Sequence, residues 1–184
     1  MSEAAGRERL VSCLRRVGEG ERAALRELYD LTSAKLLGVC LRILGDRSEA
    51  EDVLQDVYLT IWRKAGTFDA ARASPITWMA TVARNRSIDR LRALGRHRPA
   101  DLDAALAVAD EAPGALDRLE ASDEARRLQA CLGELDERAR GTIAAAFFGG
   151  RTYEALAHES GTPLGTVKSI VRRGLMRLKG CLER

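Results

Sequence analysis

The sequence predicts an all-α protein: two small helical domains joined by an acidic flexible linker, the second containing a helix–turn–helix. Three observations carry that expectation. Apolar residues recur every three to four positions along most of the 184 residues, and strand-like alternation is scarce. Hydrophobic residues make up 46%, enough for a core, with only 4% aromatic. The net charge of +3 conceals a pattern: residues 1–100 and 126–184 are basic, while 101–125 hold a single cation, Arg118, among many carboxylates. That acidic stretch also contains Pro113-Gly114, a strong breaker pair. The expected boundaries are therefore a domain at 1–95, a linker at 96–122 and a domain at 123–184. Acidity would keep the linker off DNA and let it mimic nucleic acid inside a positive channel; a solubilising tether is the plainer alternative.

Residues 21–44 carry Ala24, Leu25, Leu28, Leu31, Leu36, Val39, Cys40 and Ile43 at helical spacing, and Gly45-Asp46 breaks the run. Ser48 is placed to cap the next helix, with Glu51 three residues on in capping-box register. That helix, SEAEDVLQDVYLTIWRKA, buries Val53, Leu54, Val57, Tyr58, Ile61 and Trp62. Its outer side carries Asp52, Gln55 and Asp56, three and four apart, in one acidic-polar stripe. Without a histidine nearby, the stripe reads as a solvated or protein-docking face rather than an acid–base site. A loop at 66–75 ends at Pro75. The helical stretch after it is rich in arginine, including Arg84, Arg86, Arg90 and Arg92, with Asn85 among them. Cations beside an aromatic (Trp78) and a short amide suit single-stranded nucleic acid, where charge holds the backbone and an exposed base is stacked or hydrogen-bonded. The alternative is that Trp62 and Trp78 are ordinary core residues and Asp89 pairs with a neighbouring arginine.

Residues 151–179 read as two short helices around a tight turn. Thr152 caps the first, over about 153–160, and Gly161 stops it. Thr162 is placed to cap the second, with Pro163 at its first position, over about 163–178. Val167, Ile170, Val171, Gly174 and Leu178 form the inner stripe; Gly165, Thr166, Ser169 and Arg172 face outward, flanked by Lys168 and Arg173. Small residues at the front let such a helix approach base edges in the major groove, and the cations behind hold phosphates. The alternative is an amphipathic hairpin with a solvated basic face.

No apolar run approaches the roughly 20 residues that span a bilayer. The N-terminus lacks the apolar core of a secretory signal, so a cytoplasmic protein is expected. The four cysteines, Cys13, Cys40, Cys131 and Cys181, form no CxxC pair or zinc spacing. Reduced, partly buried thiols are the default in the cytosol. Cys131 and Cys181 lie near the two ends of the C-terminal helical unit, and would meet in a redox-responsive disulfide if its first and last helices pack together. No nucleophile–base pair, metal-ligand set or phosphate loop is present, so neither an enzyme nor a cofactor is expected.

Four stretches in order, EAEDVLQDVYLTIWRKA (49–65), TWMATVARNRSIDRLR (77–92), LDERAR (135–140) and YEALAHESGTPLGTVKSIVRRGLMRLK (153–179), resemble a bacterial sigma factor of the extracytoplasmic-function (ECF) group. The resemblance implies that Asp52, Gln55 and Asp56 dock on the clamp coiled coil of core RNA polymerase. It implies that Arg84, Asn85, Arg86 and Arg90 belong to the part that recognises and opens the −10 promoter element, with Asn85 lining a pocket for a flipped-out base. Pro163, Gly165, Thr166, Lys168, Ser169, Arg172 and Arg173 would form the face that reads −35 DNA. The linker would thread the polymerase channel. Promoter DNA, core polymerase and a separate, membrane-tethered anti-sigma factor are the implied partners, with no small-molecule substrate. Such a factor, while bound, would hold the protein at the inner membrane face. Two departures stand out: Gly141 lies inside what should be a helix, at a cost of about 1 kcal/mol relative to alanine, and Ile170 replaces an arginine common in such proteins, so either a DNA contact is lost or Ile170 belongs to the core. A polymerase-independent helix–turn–helix regulator is the runner-up; a helical interaction adaptor is a third reading.

Overall fold

The computed structural model describes residues 3–95 and 126–184, so the expected linker at 96–122 lies outside the described residues. The described residues are helical, with no strand among them. The chain divides into two compact units, Met1–Arg90 and Leu91–Arg184.

In the first unit α1 (Glu3–Gly18) precedes α2 (Arg22–Leu44), α3 (Arg47–Lys64), a 3₁₀ turn (Ala65–Thr67) and all but the last three residues of α4 (Pro75–Ala93). α1 is not among the elements expected from sequence, although Leu10, Cys13, Leu14 and Val17 have the spacing of one helical face. Cys13, Leu14 and Val17 are buried. α2 packs between α1 and α3. Its buried Leu28, Leu36 and Cys40 join Val57 and Ile61 of α3 in the core. A polar link joins α2 to α3 within that core: the Thr32 hydroxyl donates to the Leu28 carbonyl and lies 2.7 Å from the Tyr58 hydroxyl, which is thus its donor. A buried hydroxyl left without a partner would be costly, so this pair fixes the register of α2 on α3.

The second unit holds helical residues 126–133 (α5), then α6 (Glu137–Phe147), α7 (Tyr153–Ser160) and α8 (Leu164–Leu182). Asp136 caps α6, its carboxylate accepting from the Ala139 amide at 2.8 Å. The core gathers Leu132, Leu135, Ile143, Ala144, Val171 and Leu178, with Phe147, Phe148 and Tyr153 packed against it. At Gly174 a Cβ would lie 2.5 Å from Ile143 Cδ1, so glycine lets α8 approach α6 closely. Cys131 of α5 and Cys181 of α8 are joined by a disulfide, their Cα atoms 5.8 Å apart. Cys13 and Cys40 are buried free thiols. Among the described residues no helix is long and apolar enough to cross a membrane.

Candidate functional site

The acidic stripe stands on α3. This helix starts earlier than its sequence suggests. Asp46, not Ser48, is the cap: its carboxylate accepts from the Glu49 amide at 3.0 Å. A carboxylate directly after the Gly45 break reaches the free amides first, which leaves Ser48 inside the first turn. Val53, Leu54, Val57, Tyr58 and Ile61 are buried beneath the helix. Asp52, Gln55 and Asp56 are exposed together on its other side. Leu59 extends that stripe by one turn and is 57% exposed, an apolar residue within a polar face. Its spacing from Gln55 and Asp56 is the signal that marks it, masked because a leucine on an amphipathic helix ordinarily belongs to the core.

α4 begins at Pro75, where a missing amide costs nothing. The Ser74 hydroxyl accepts from the Thr77 amide at 3.2 Å. Phe68 of the preceding loop meets Trp78 with ring centroids 5.6 Å apart, and both are half-buried. The four residues expected at the −10 element do not share one face. Asn85 is exposed on a stripe with Thr81 and Asp89, and its side-chain oxygen accepts from Arg84 Nη1 at 3.2 Å. Arg86 and Arg90 turn toward α3 instead. Arg86 Nε donates to Thr60 Oγ1 at 3.1 Å. Arg90 donates through Nε and Nη2 to the two carboxylate oxygens of Glu49, at 2.5 and 3.1 Å. Those bonds, with the negative field of Glu49 and then of Asp52 and Asp56, hold the Arg90 guanidinium more firmly protonated than usual.

In the second unit Thr152 caps α7, accepting from the Ala155 amide at 3.1 Å, and Gly161 ends it with φ 60°. The turn that follows differs from the expected one. Pro163, not Thr162, is the cap of α8, its carbonyl accepting from the Thr166 and Val167 amides. The Thr162 hydroxyl is engaged elsewhere: it accepts from Arg138 Nη2 at 2.7 Å and donates to the Ser160 carbonyl at 3.3 Å. Arg138 of α6 thus anchors the turn, a role no local sequence pattern announced. Arg151 pairs with Glu159 across α7. α8 runs to Leu182, a turn beyond the expected end. Pro163, Gly165, Thr166, Lys168, Ser169, Arg172 and Arg173 are all exposed, over buried Val167, Val171, Gly174 and Leu178. Ile170 is half-buried, at the edge between the two faces. Chemically, this surface offers small side chains and hydroxyls near a helix N-terminus, then cations one and two turns on. That order suits contact with base edges flanked by phosphates.

Comparison with known proteins bears on both units. The family model described as Sigma-70 region 2 matches residues 28–97, and the one described as Sigma-70, region 4 matches residues 131–180. The chain is 36% identical over 182 residues to the ECF RNA polymerase sigma factor SigK of Mycobacterium ulcerans (strain Agy99), covering 95% of this chain and 94% of that protein. Against SigK of Mycobacterium tuberculosis (strain ATCC 25618 / H37Rv) it is 35% identical over 175 residues, with the same coverage of 95% and 94%. Among solved structures, Rhodobacter sphaeroides SigE in complex with the anti-sigma ChrR is 38% identical, covers 95% of this chain and 98% of that one, and has a TM-score of 0.46.

Proposed function

The chain belongs to the ECF sigma factors of RNA polymerase, and from that membership we propose how its surfaces divide the work of directing core polymerase to promoters. Asp52, Gln55 and Asp56 of α3, with Leu59 beside them, dock on polymerase. Arg84 and Asn85 of α4 take the non-template strand at the −10 element. Pro163, Gly165, Thr166, Lys168, Ser169, Arg172 and Arg173 meet duplex DNA at −35 and set register. In domain terms, 1–95 does the docking and opening, 96–122 links, and 123–184 reads −35. The observation that carries this reading is the pairing of two family matches with two helical units, each having an exposed polar face over its own buried core.

Magnitudes explain why polymerase is required. Duplex stacking is worth about 1.4 kcal/mol per step, so opening four or five steps costs roughly 6–7 kcal/mol. One stacked or pocketed base returns about 1–3 kcal/mol. The protein alone therefore melts DNA poorly, and the contacts made by the assembled holoenzyme offset the rest.

Control comes from an anti-sigma protein that covers the polymerase-binding faces. The protein works in the cytoplasm, where polymerase and promoters are, and a membrane-tethered anti-sigma partner would hold it at the inner membrane face until release. It is a binding factor that supplies no chemistry of its own. The test is run-off transcription with core RNA polymerase and a promoter library. Selective transcripts, lost on Asp52→Lys or Asp56→Lys, support the reading. Absence of polymerase binding would overturn it, and DNA binding that selects promoters without polymerase would favour a stand-alone regulator.

A further inference from the structure

Two arginines of α4, four residues apart and therefore on one face, both end on α3. Arg90 grips both carboxylate oxygens of Glu49 side-on, in the geometry that fixes direction as well as distance. Glu49 lies in the first turn of α3, one helical turn before Asp52 and Val53. Arg86 donates to Thr60 Oγ1, and the Thr60 hydroxyl in turn donates to the main-chain carbonyl of Asp56 at 2.8 Å. Thr60 itself is buried, and both bonds are partly buried. The stripe of Asp52, Gln55 and Asp56 is thus bracketed: an ion pair holds the helix before it, and a hydrogen-bond relay ends on its last member. Asn85, by contrast, lies on another side of α4, with Thr81 and Asp89.

We propose that Arg86 and Arg90 are positioning residues that set the polymerase-docking stripe of α3, acting through Thr60 and Glu49, and are not contacts to promoter DNA. The inference rests on the assignment of Asp52, Gln55 and Asp56 to polymerase docking. It gives α4 two functions on two faces. The Asn85 side meets the single strand, and the Arg86–Arg90 side fixes the docking helix against it, so that polymerase and promoter contacts are held in one register.

Two measurements on the full chain test this. The first is affinity for core RNA polymerase without DNA. The second is the salt dependence with which holoenzyme binds a single-stranded −10 oligonucleotide. Arg90→Ala and Glu49→Ala should each weaken polymerase binding about threefold to fivefold, the scale of a partly exposed ion pair. The double variant should be no weaker than either single one, because both remove the same link. Arg86→Ala and the near-isosteric Thr60→Val should likewise match each other. The slope of log affinity against log salt should not change for Arg90→Ala. A slope reduced by about 0.7 would instead mean a lost phosphate contact on a single strand and would overturn the inference. Additive losses for Glu49 and Arg90 would overturn it too. Asp52→Ala and Asp56→Ala in the same binding assay separate the two levels. If they leave polymerase affinity unchanged, the docking assignment fails and this inference with it. If they weaken binding while Arg90→Ala and Glu49→Ala do not, the inference alone fails. Thermal melts of each variant keep loss of folding distinct from loss of affinity.

Discussion

Gly18 ends α1 against the backbone of the 3₁₀ turn. A Cβ there would lie 2.9 Å from the Gly66 nitrogen and 3.0 Å from its Cα. Backbone cannot rotate aside as a side-chain tip can, so Gly18→Ala is expected to destabilise the first unit by about 1–3 kcal/mol in urea unfolding. Gly141 has the opposite setting. It lies inside α6, and a Cβ added there would meet nothing within 4 Å. Gly141→Ala should therefore stabilise the second unit by about 1 kcal/mol, the helix-propensity difference alone. Tyr58 provides a pH handle. Burial, the largest cause, pushes its hydroxyl up from 10.0 to about 12. Above pH 10 the unfolded chain loses this proton while the folded one keeps it, so folding weakens as pH rises from about 10 to 12. Stability curves of the wild type and Tyr58→Phe should differ in slope across that window and run parallel below it. The roles of these three residues have different legibility. Gly141 stands out in the sequence as a poor helix former. Gly18 and Tyr58 do not, because their constraints come from residues 48 and 26 positions away.

At the scale of elements, amphipathic spacing located α2, α3, α7 and α8 closely, because burial of one helical face is a local, periodic demand. Cap positions were less legible. Asp46 displaced Ser48, and Pro163 displaced Thr162, since neighbouring residues compete for the same free amides and Arg138 claims the Thr162 hydroxyl. On α8, Arg172 and Arg173 are exposed two turns from the helix start. If they hold phosphates, replacing either with alanine should weaken binding to all promoters alike and lower the salt slope by about 0.9 on duplex DNA. Binding titrations at several salt concentrations on strong and weak promoters read this directly. A loss confined to some promoters would make them base readers.

Across the whole molecule, two units, each with its own buried residues, should unfold in two transitions, and among the described residues a disulfide lies in the second. Cys131 and Cys181 are 50 residues apart in sequence. Releasing a loop of that length gives the unfolded chain entropy worth about 4 kcal/mol in the chain-entropy model. Calorimetry with and without a reductant should show one transition falling and the other unmoved; a shift of both would mean that the units unfold as one. The order of residues was enough for the all-α class, the positions of most helices and the polar faces of α3 and α8. Each of those follows from the order of residues within a few turns of one helix. Packing between helices was needed to show that α1 closes the first core, that Cys131 meets Cys181, that Arg138 anchors the turn between α7 and α8, and that Arg86 and Arg90 face α3 rather than Asn85's side of α4. A long side chain's partner depends on which helix packs beside it and at what height, and no local period encodes that.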